Sequence, residues 1–453
     1  MDGLKSQILT ELNLSKLSST AQRTYFNYLE VCKSPKIFRG EYLNYYLDAI
    51  HYFSNTGSDS EFQTRRTIQT YIDSLQDQII KFRNSKESKD VYKTLATDLA
   101  LNIIGTRLAL LVYFENHPSG GRPIEAAYRH RKKTATSGNA SQSNHRDKDL
   151  LGCSIAELIG ITGLVPSRRS CMDSLWEVTN LLNADDPRSR IMKLSLSNMG
   201  SKNLDGPGRL QFLSTSVNEI YAPLDLLESA TIPAKDLNLY TLRKFAGVKI
   251  HWTNNVNRHM LLSKRLGRWV LECFAMPMLL GQKLPAGMEQ KYMHEVQHTY
   301  PTLFRPLDPG KHVKGLNKLM QRKFWCWCKA CSVRRVTLEA IEQLKKETAH
   351  TTQDENCCEK KVSLFDPTLE SEVGSKSKDW NPEVYECLWS RIVTLYEFQN
   401  NAKPWSFWVL FRDRRDTVQF WTFLFAAFII PLTIVQVAMG IAQVAGTFLP
   451  KSK

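Results

Sequence analysis

Two short runs in this chain hold side chains whose types and spacing could do chemistry. The first is HEVQH, His294 to His298. On a helix, histidines four residues apart lie on one face and can share a zinc ion, while the glutamate between them activates water. The chain has ten histidines, so a pattern this short arises readily by chance. Its longer forms are missing: Pro301 stands where a metzincin needs glycine, and Phe304 where it needs a third histidine. Catalytic zinc takes three protein ligands. Glu339 and Glu342 are third-ligand candidates, and nothing in the sequence singles out either. The run therefore reads as a surface helix carrying His294 and His298. A zinc-dependent metallopeptidase with these two as ligands and Glu295 as base is the enzymatic alternative.

The second run is FWCWCKAC, with Cys326, Cys328 and Cys331. Three thiolates this close suggest structural zinc. The flanks, however, read as one helix from Leu316 to Lys346, on which Cys328 and Cys331 share a side and Cys326 lies about 200° from Cys328. One metal collects all three only if the helix breaks, and a fourth ligand must come from His312, Cys357 or Cys358. The expected reading is a buried aromatic and cysteine face, with metal binding and acylation as alternatives. The sequence has no glycine-rich phosphate loop, no GxSxG elbow and no kinase signature, and no cofactor is expected.

The elements that must carry these residues follow from hydrophobic spacing. Residues 1–116 read as helical, with Ile68, Tyr71, Ile72, Leu75, Ile79 and Phe82 on one face. Leu95 to Phe114 is apolar but contains Asp98, Gly105 and Arg107, which predicts a buried core helix and not a membrane span. Residues 117–149 read as a basic polar linker holding RHRKK at 129–133. Residues 150–347 read as a mixed α+β domain. There Val248, Ile250 and Trp252 alternate with Lys249, His251 and Thr253, and His259–Ser263 and Trp269–Phe274 complete a three-stranded meander. Residues 348–379 read as a second polar linker, and 380–416 as an amphipathic helix, opened by Asn381-Pro382, with a basic end.

The strongest signal is at the C-terminal end. From Thr417 to Pro450 there is no charged residue, where a transmembrane helix needs about 20 apolar positions. The run from Phe420 to Ile441 is apolar all round, with one Pro431 that a spanning helix tolerates. Before it, Trp405, Trp408 and Phe411 suit the headgroup layer, and Arg412, Arg414 and Arg415 suit an anionic leaflet. Lys and Arg outnumber those on the far side, where only Lys451 and Lys453 follow. The opening residues MDGLKSQILTELNLS have no apolar run behind a basic patch, which predicts no secretory signal and a body on the cytosolic side. Within the span, Thr433, Gln436, Gly440, Gln443 and Thr447 fall on one stripe. They point to self-association or a transmembrane partner, because amides facing lipid are costly.

Composition fits this picture. With 453 residues, of which 42% are hydrophobic, the chain can bury cores without a disulfide framework. Its net charge of +15 favours an anionic surface. Basic runs without interleaved aromatics make nucleic acid an unlikely partner, with a membrane-surface regulator binding it through 129–133 as a further alternative.

The blocks LNLYTLRKFAGVKIHWTNNVNRHMLLS, KFWCWCKACSVRR and KPWSFWVLFRDRRDTVQFWTF, in that order, resemble a family of filamentous-fungal proteins. The likeness covers about half the chain, from Asp236 onward. It implies a fungal source and a C-terminal transmembrane segment, and carries no known activity, cofactor or catalytic residue. The expected protein is predominantly helical α+β, with a helical N-terminal region, a central region holding a short meander, and a single C-terminal transmembrane helix. Its expected role is a membrane-anchored cytosolic interaction or scaffold protein.

Overall fold

Apolar residues at helical spacing build the first quarter of the chain. In the computed structural model they form α1 (Asp2–Glu11), α2 (Ser19–Asn27), α3 (Tyr42–Ser54), α4 (Ile68–Arg83) and α5 (Lys89–Arg107). The structure describes residues 2–38, 40–54, 66–83, 88–116, 122–125, 150–162, 164, 231–265, 268–285, 290–304, 329–353, 359–402 and 417–448. Helix α4 buries Ile68, Tyr71, Ile72, Leu75 and Ile79, the face its spacing predicts.

The apolar run from Leu95 to Phe114 is buried as expected, but it is not one helix. It breaks after Arg107, with Ala109 at a positive φ of 51°, and resumes as the short α6 (Leu111–Phe114). Gly105 permits the fold-back: a Cβ there would stand 3.0 Å from the Cβ of Phe114 and 3.1 Å from the Cα of Leu111. The break has a use, because the freed carbonyl of Ala109 accepts the N–H of Val256 at 2.9 Å, tying this region to the next.

After α7 (Ile155–Thr162), the central region opens with α8 (Leu239–Ala246). Asn238 and Thr241 form a reciprocal capping box at its start, and Gly247 ends it in the left-handed conformation, φ 65°. Three strands follow: β1 (Lys249–Thr253), β2 (Leu261–Arg265) and β3 (Arg268–Phe274). They do not form a meander. The spatial order is β1-β3-β2, with β1 parallel to β3 and β2 antiparallel to it. Alternation in β1 holds from Lys249 to Trp252, with Ile250 and Trp252 buried and Lys249 exposed, and fails at Thr253, which is buried beside Trp252. Strand β3 is buried from Val270 to Phe274 without alternation, the mark of a central strand covered on both faces.

The rest of the body is α9 (Lys291–Phe304), α10 (Lys329–Glu347), the antiparallel hairpin β4 (Ala349–Gln353) and β5 (Glu359–Ser363), α11 (Thr368–Gly374) and α12 (Trp389–Asn401). The segment 348–379 is therefore more than a polar linker. Its Asp366 is buried and accepts the N–H of Met278 at 2.7 Å, while Leu369 joins the core. Asn381-Pro382 opens a turn and not a helix: Asn381 accepts the N–H groups of Glu383, Val384 and Tyr385, and α12 begins only at Trp389. The long helix expected from Leu316 is described from Lys329, and its earlier residues lie outside the described ones.

One hydrophobic cluster runs from Ile8 to Phe398. The regions separated in sequence by linkers thus share a core. The N–H of Lys283 reaches the carbonyl of Leu12 at 2.9 Å, and Trp380, fully buried, pairs its backbone with Ile232 while its indole donates to Leu237 at 2.9 Å.

Within this core β3 carries a carboxylate. Glu272 is 0% exposed and accepts both the Nε and Nη2 of Arg258, with Ser263 Oγ donating a further bond at 3.0 Å. Removing one partner leaves the other charge buried alone. Arg258→Met is therefore expected to cost about 3–5 kcal/mol, and adding Glu272→Met to recover most of it. Urea unfolding of the full chain in detergent micelles, followed by tryptophan fluorescence, measures both.

Candidate functional site

Helix α9 carries HEVQH, and it separates the three residues. His294 is exposed and His298 half-buried, with their Nε2 atoms 3.2 Å apart, ring centroids 4.2 Å apart and ring planes at 89°. Glu295 lies about 100° round the helix from His294 and is turned inward. Only 1% of it is exposed. Its carboxylate accepts the N–H of Cys387 at 3.0 and 2.9 Å on its two oxygens, and the N–H of Leu388 at 3.0 Å. Burial pushes this carboxyl above its usual range, against the pull of those amides. The two amides stand just before α12, whose N-cap Leu388 has no side-chain cap of its own. Glu295 thus fills the role of a cap from a distant element and seats α12 against α9. Its oxygens are committed to the backbone, so it does not face a metal-bound water beside the histidines.

Among the described residues, no third ligand stands with the pair. Glu339 on α10 forms an ion pair with Arg243 at 2.5 Å, and Glu342 is exposed. Among the described residues, no group of three His, Cys, Asp or Glu side chains is placed to hold a metal ion. Of the cysteine run, Cys331 is half-buried near the start of α10, while Cys326 and Cys328 lie outside the described residues. The same holds for Trp405, Trp408, Phe411, Arg412, Arg414 and Arg415, for the basic run at 129–133 and for the Cys357-Cys358 pair.

The C-terminal helix is α13 (Thr417–Phe448). Its segment Leu424–Ala445, 22 residues, is long and apolar enough to cross a membrane, and none of it is buried by the rest of the chain. At about 1.5 Å per residue it is about 33 Å long, against about 30 Å of hydrocarbon. Phe425, Phe428, Ile429, Ile430, Leu432 and Ile434 are all exposed. Thr433 bonds its own helix, donating to the carbonyl of Ile429 at 2.9 Å. Gln436 and Gln443 are exposed, Gly440 is half-exposed, and Thr447 lies on the last turn.

Two further buried polar centres lie at Arg107, inside the apolar run expected to be buried, and at His259, whose burial the sequence did not signal. Arg107 is 2% exposed, donates to Ser54 Oγ at 3.2 Å, and lies near the Tyr25 and Tyr46 phenols, themselves bonded at 3.0 Å. His259 is 0% exposed and joins β3 to α9. Its Nδ1 accepts the N–H of Phe274 at 3.1 Å, so the ring proton sits on Nε2, which donates to Thr299 Oγ1 at 2.6 Å. Thr299 passes its own proton to the carbonyl of Val296 at 2.7 Å.

Burial, and then the Arg391 guanidinium, hold the His259 ring down to about 3. An unfolded histidine protonates near about 6.5. Between those values the unfolded chain binds a proton that the folded one does not. Stability therefore falls as pH drops below about 6.5, by about 1.4 kcal/mol per pH unit from this group. Glu397, which burial raises to about 7, takes up its proton in the folded chain over the same window and opposes this slope, so the His259 contribution is read as a difference. From neutral pH down to about pH 5 the unfolding midpoint is expected to fall more, or rise less, in the wild type than in His259→Gln. Set against known proteins, the chain matches no family model, no curated protein and no solved structure.

Proposed function

We propose that this chain is a membrane-anchored interaction or scaffold protein, held by α13 with its folded body on the cytosolic side. One observation carries the reading: a long apolar helix that the body leaves uncovered, attached to a body that buries its apolar residues in a core of its own. Water opposes that exposure at about 25 cal/mol for each Å² of apolar surface, and hydrocarbon removes the opposition. Arg412, Arg414 and Arg415 place positive charge at the near side of the span, which favours a cytosolic, anionic leaflet. The buried thiols of Cys153, Cys273 and Cys387 suit a reducing compartment. The peptidase alternative is disfavoured by Glu295, whose carboxylate is spent on the amides of Cys387 and Leu388.

The test is the full chain reconstituted in vesicles with and without anionic lipid. Hydrogen exchange across 403–416 is expected to be slow on anionic vesicles, and fast once Arg412, Arg414 and Arg415 are replaced by Glu. Equal protection in the wild type and the triple variant would count against the lipid contact. Loss of the protein from vesicles under alkaline wash would count against the anchor itself.

A second reading concerns partners within the bilayer. Gln436 and Gln443 expose amides on an otherwise apolar helix, and Thr433, Gly440 and Thr447 share their stripe. Self-association along this stripe is the expected arrangement, stabilised by interhelical bonds of about 1 kcal/mol each. Crosslinking in vesicles is expected to trap dimers that Gln436→Leu/Gln443→Leu weakens. Monomer alone would remove the idea.

A further inference from the structure

The histidines of α9 do not make a peptidase, but their geometry is that of a bidentate metal ligand. Zinc holds imidazole nitrogens at about 2.0–2.1 Å, so two of them at a tetrahedral angle stand about 3.3 Å apart. The Nε2 atoms of His294 and His298 are 3.2 Å apart before any ion is considered. The two side chains rise from one face of a helix, four residues apart, so little ordering entropy is spent in bringing them together. One ring is exposed and the other half-buried, which leaves the shared edge open to solvent. Lys378 lies near enough to His298 to act on it electrostatically.

We propose that His294 and His298 form a surface site for one divalent transition-metal ion, Cu²⁺ or Zn²⁺, bound through both Nε2 atoms with the remaining positions filled by water. Binding needs a tautomer change and a small rotation of the rings that turns both Nε2 lone pairs from each other towards a shared ion. Without metal one Nε2 carries the proton of the His294–His298 hydrogen bond; with metal that ring holds its proton on Nδ1, and both Nε2 lone pairs face the ion. Glu295 takes no part, so the site binds without the base that hydrolysis requires. Two ligands and a nearby Lys378 ammonium make the site modest in affinity, and copper binds it more tightly than zinc.

The experiment is calorimetric titration of the metal-stripped full chain in detergent micelles with CuCl₂ and then ZnCl₂. One equivalent of copper is expected to bind with at least about tenfold lower affinity in either His294→Ala or His298→Ala, since each leaves a single ligand. That equivalent is expected to persist in Glu295→Gln, and in Cys326→Ser/Cys328→Ser/Cys331→Ser, which separates it from any thiolate site. A second measurement uses the wild type alone: acylation of His294 and His298 by diethyl pyrocarbonate, mapped by mass spectrometry, is expected to be suppressed by equimolar copper. Absence of binding, binding that moves only with the cysteines, or acylation of both histidines unchanged by copper would each overturn the proposal.

Discussion

Strand β3 sets a carboxylate where water does not reach it, and much of the body is arranged around that demand. Glu272 sits in the central strand of a sheet covered on both faces, so Arg258 must be buried beside it. Arg258 comes from the short connection between β1 and β2, directly before His259. His259 in turn accepts the N–H of Phe274 at the end of β3 and donates to Thr299 on α9. Arg391 on α12 then donates to the carbonyls of Asn257 and His259 at 2.7 and 2.6 Å. A strand, the connection crossing it and two helices are thereby joined through groups that each need a partner once buried.

The same demand explains why distant parts of the chain share one core. Glu295 on α9 takes the amides ahead of α12, and Asp366 takes the amide of Met278. Trp380 closes a backbone pair with Ile232. Each bond crosses a segment that is polar in composition. The segments after α10 fold back onto the body because buried backbone groups there would otherwise go unsatisfied. Among the described residues, those from Ile8 to Phe398 thus share one core, and α13 stands apart as the element whose apolar surface that core does not cover.

That contrast gives the molecule its functional outline. The body buries its apolar side chains in its own core, while α13 exposes aromatic and branched aliphatic side chains along its length. A bilayer reverses the sign of that exposure. The histidine pair of α9 is the complementary case on the body: two polar side chains held at a ligand's separation on an accessible face.

The sequence by itself determined the elements whose signal is local. Spacing named the buried face of α4, alternation named β1, and absence of charge over a long apolar run named α13, because each depends only on which side of a single element must leave water. It also showed the burial of Leu95 to Phe114, though not the break at Ala109, which depends on Gly105 accepting Leu111 and Phe114 at close range. Only the tertiary structure decided the order β1-β3-β2, since a strand's neighbours are set by hydrogen bonds between chain segments and leave no mark on its own alternation. Only the tertiary structure separated Glu295 from His294 and His298. In sequence the three form one motif, but a helix turns about 100° per residue, and whichever side meets another element is drawn inward. Here that side is the glutamate's. The amides of Cys387 and Leu388, about ninety residues away in the chain, are what claim it.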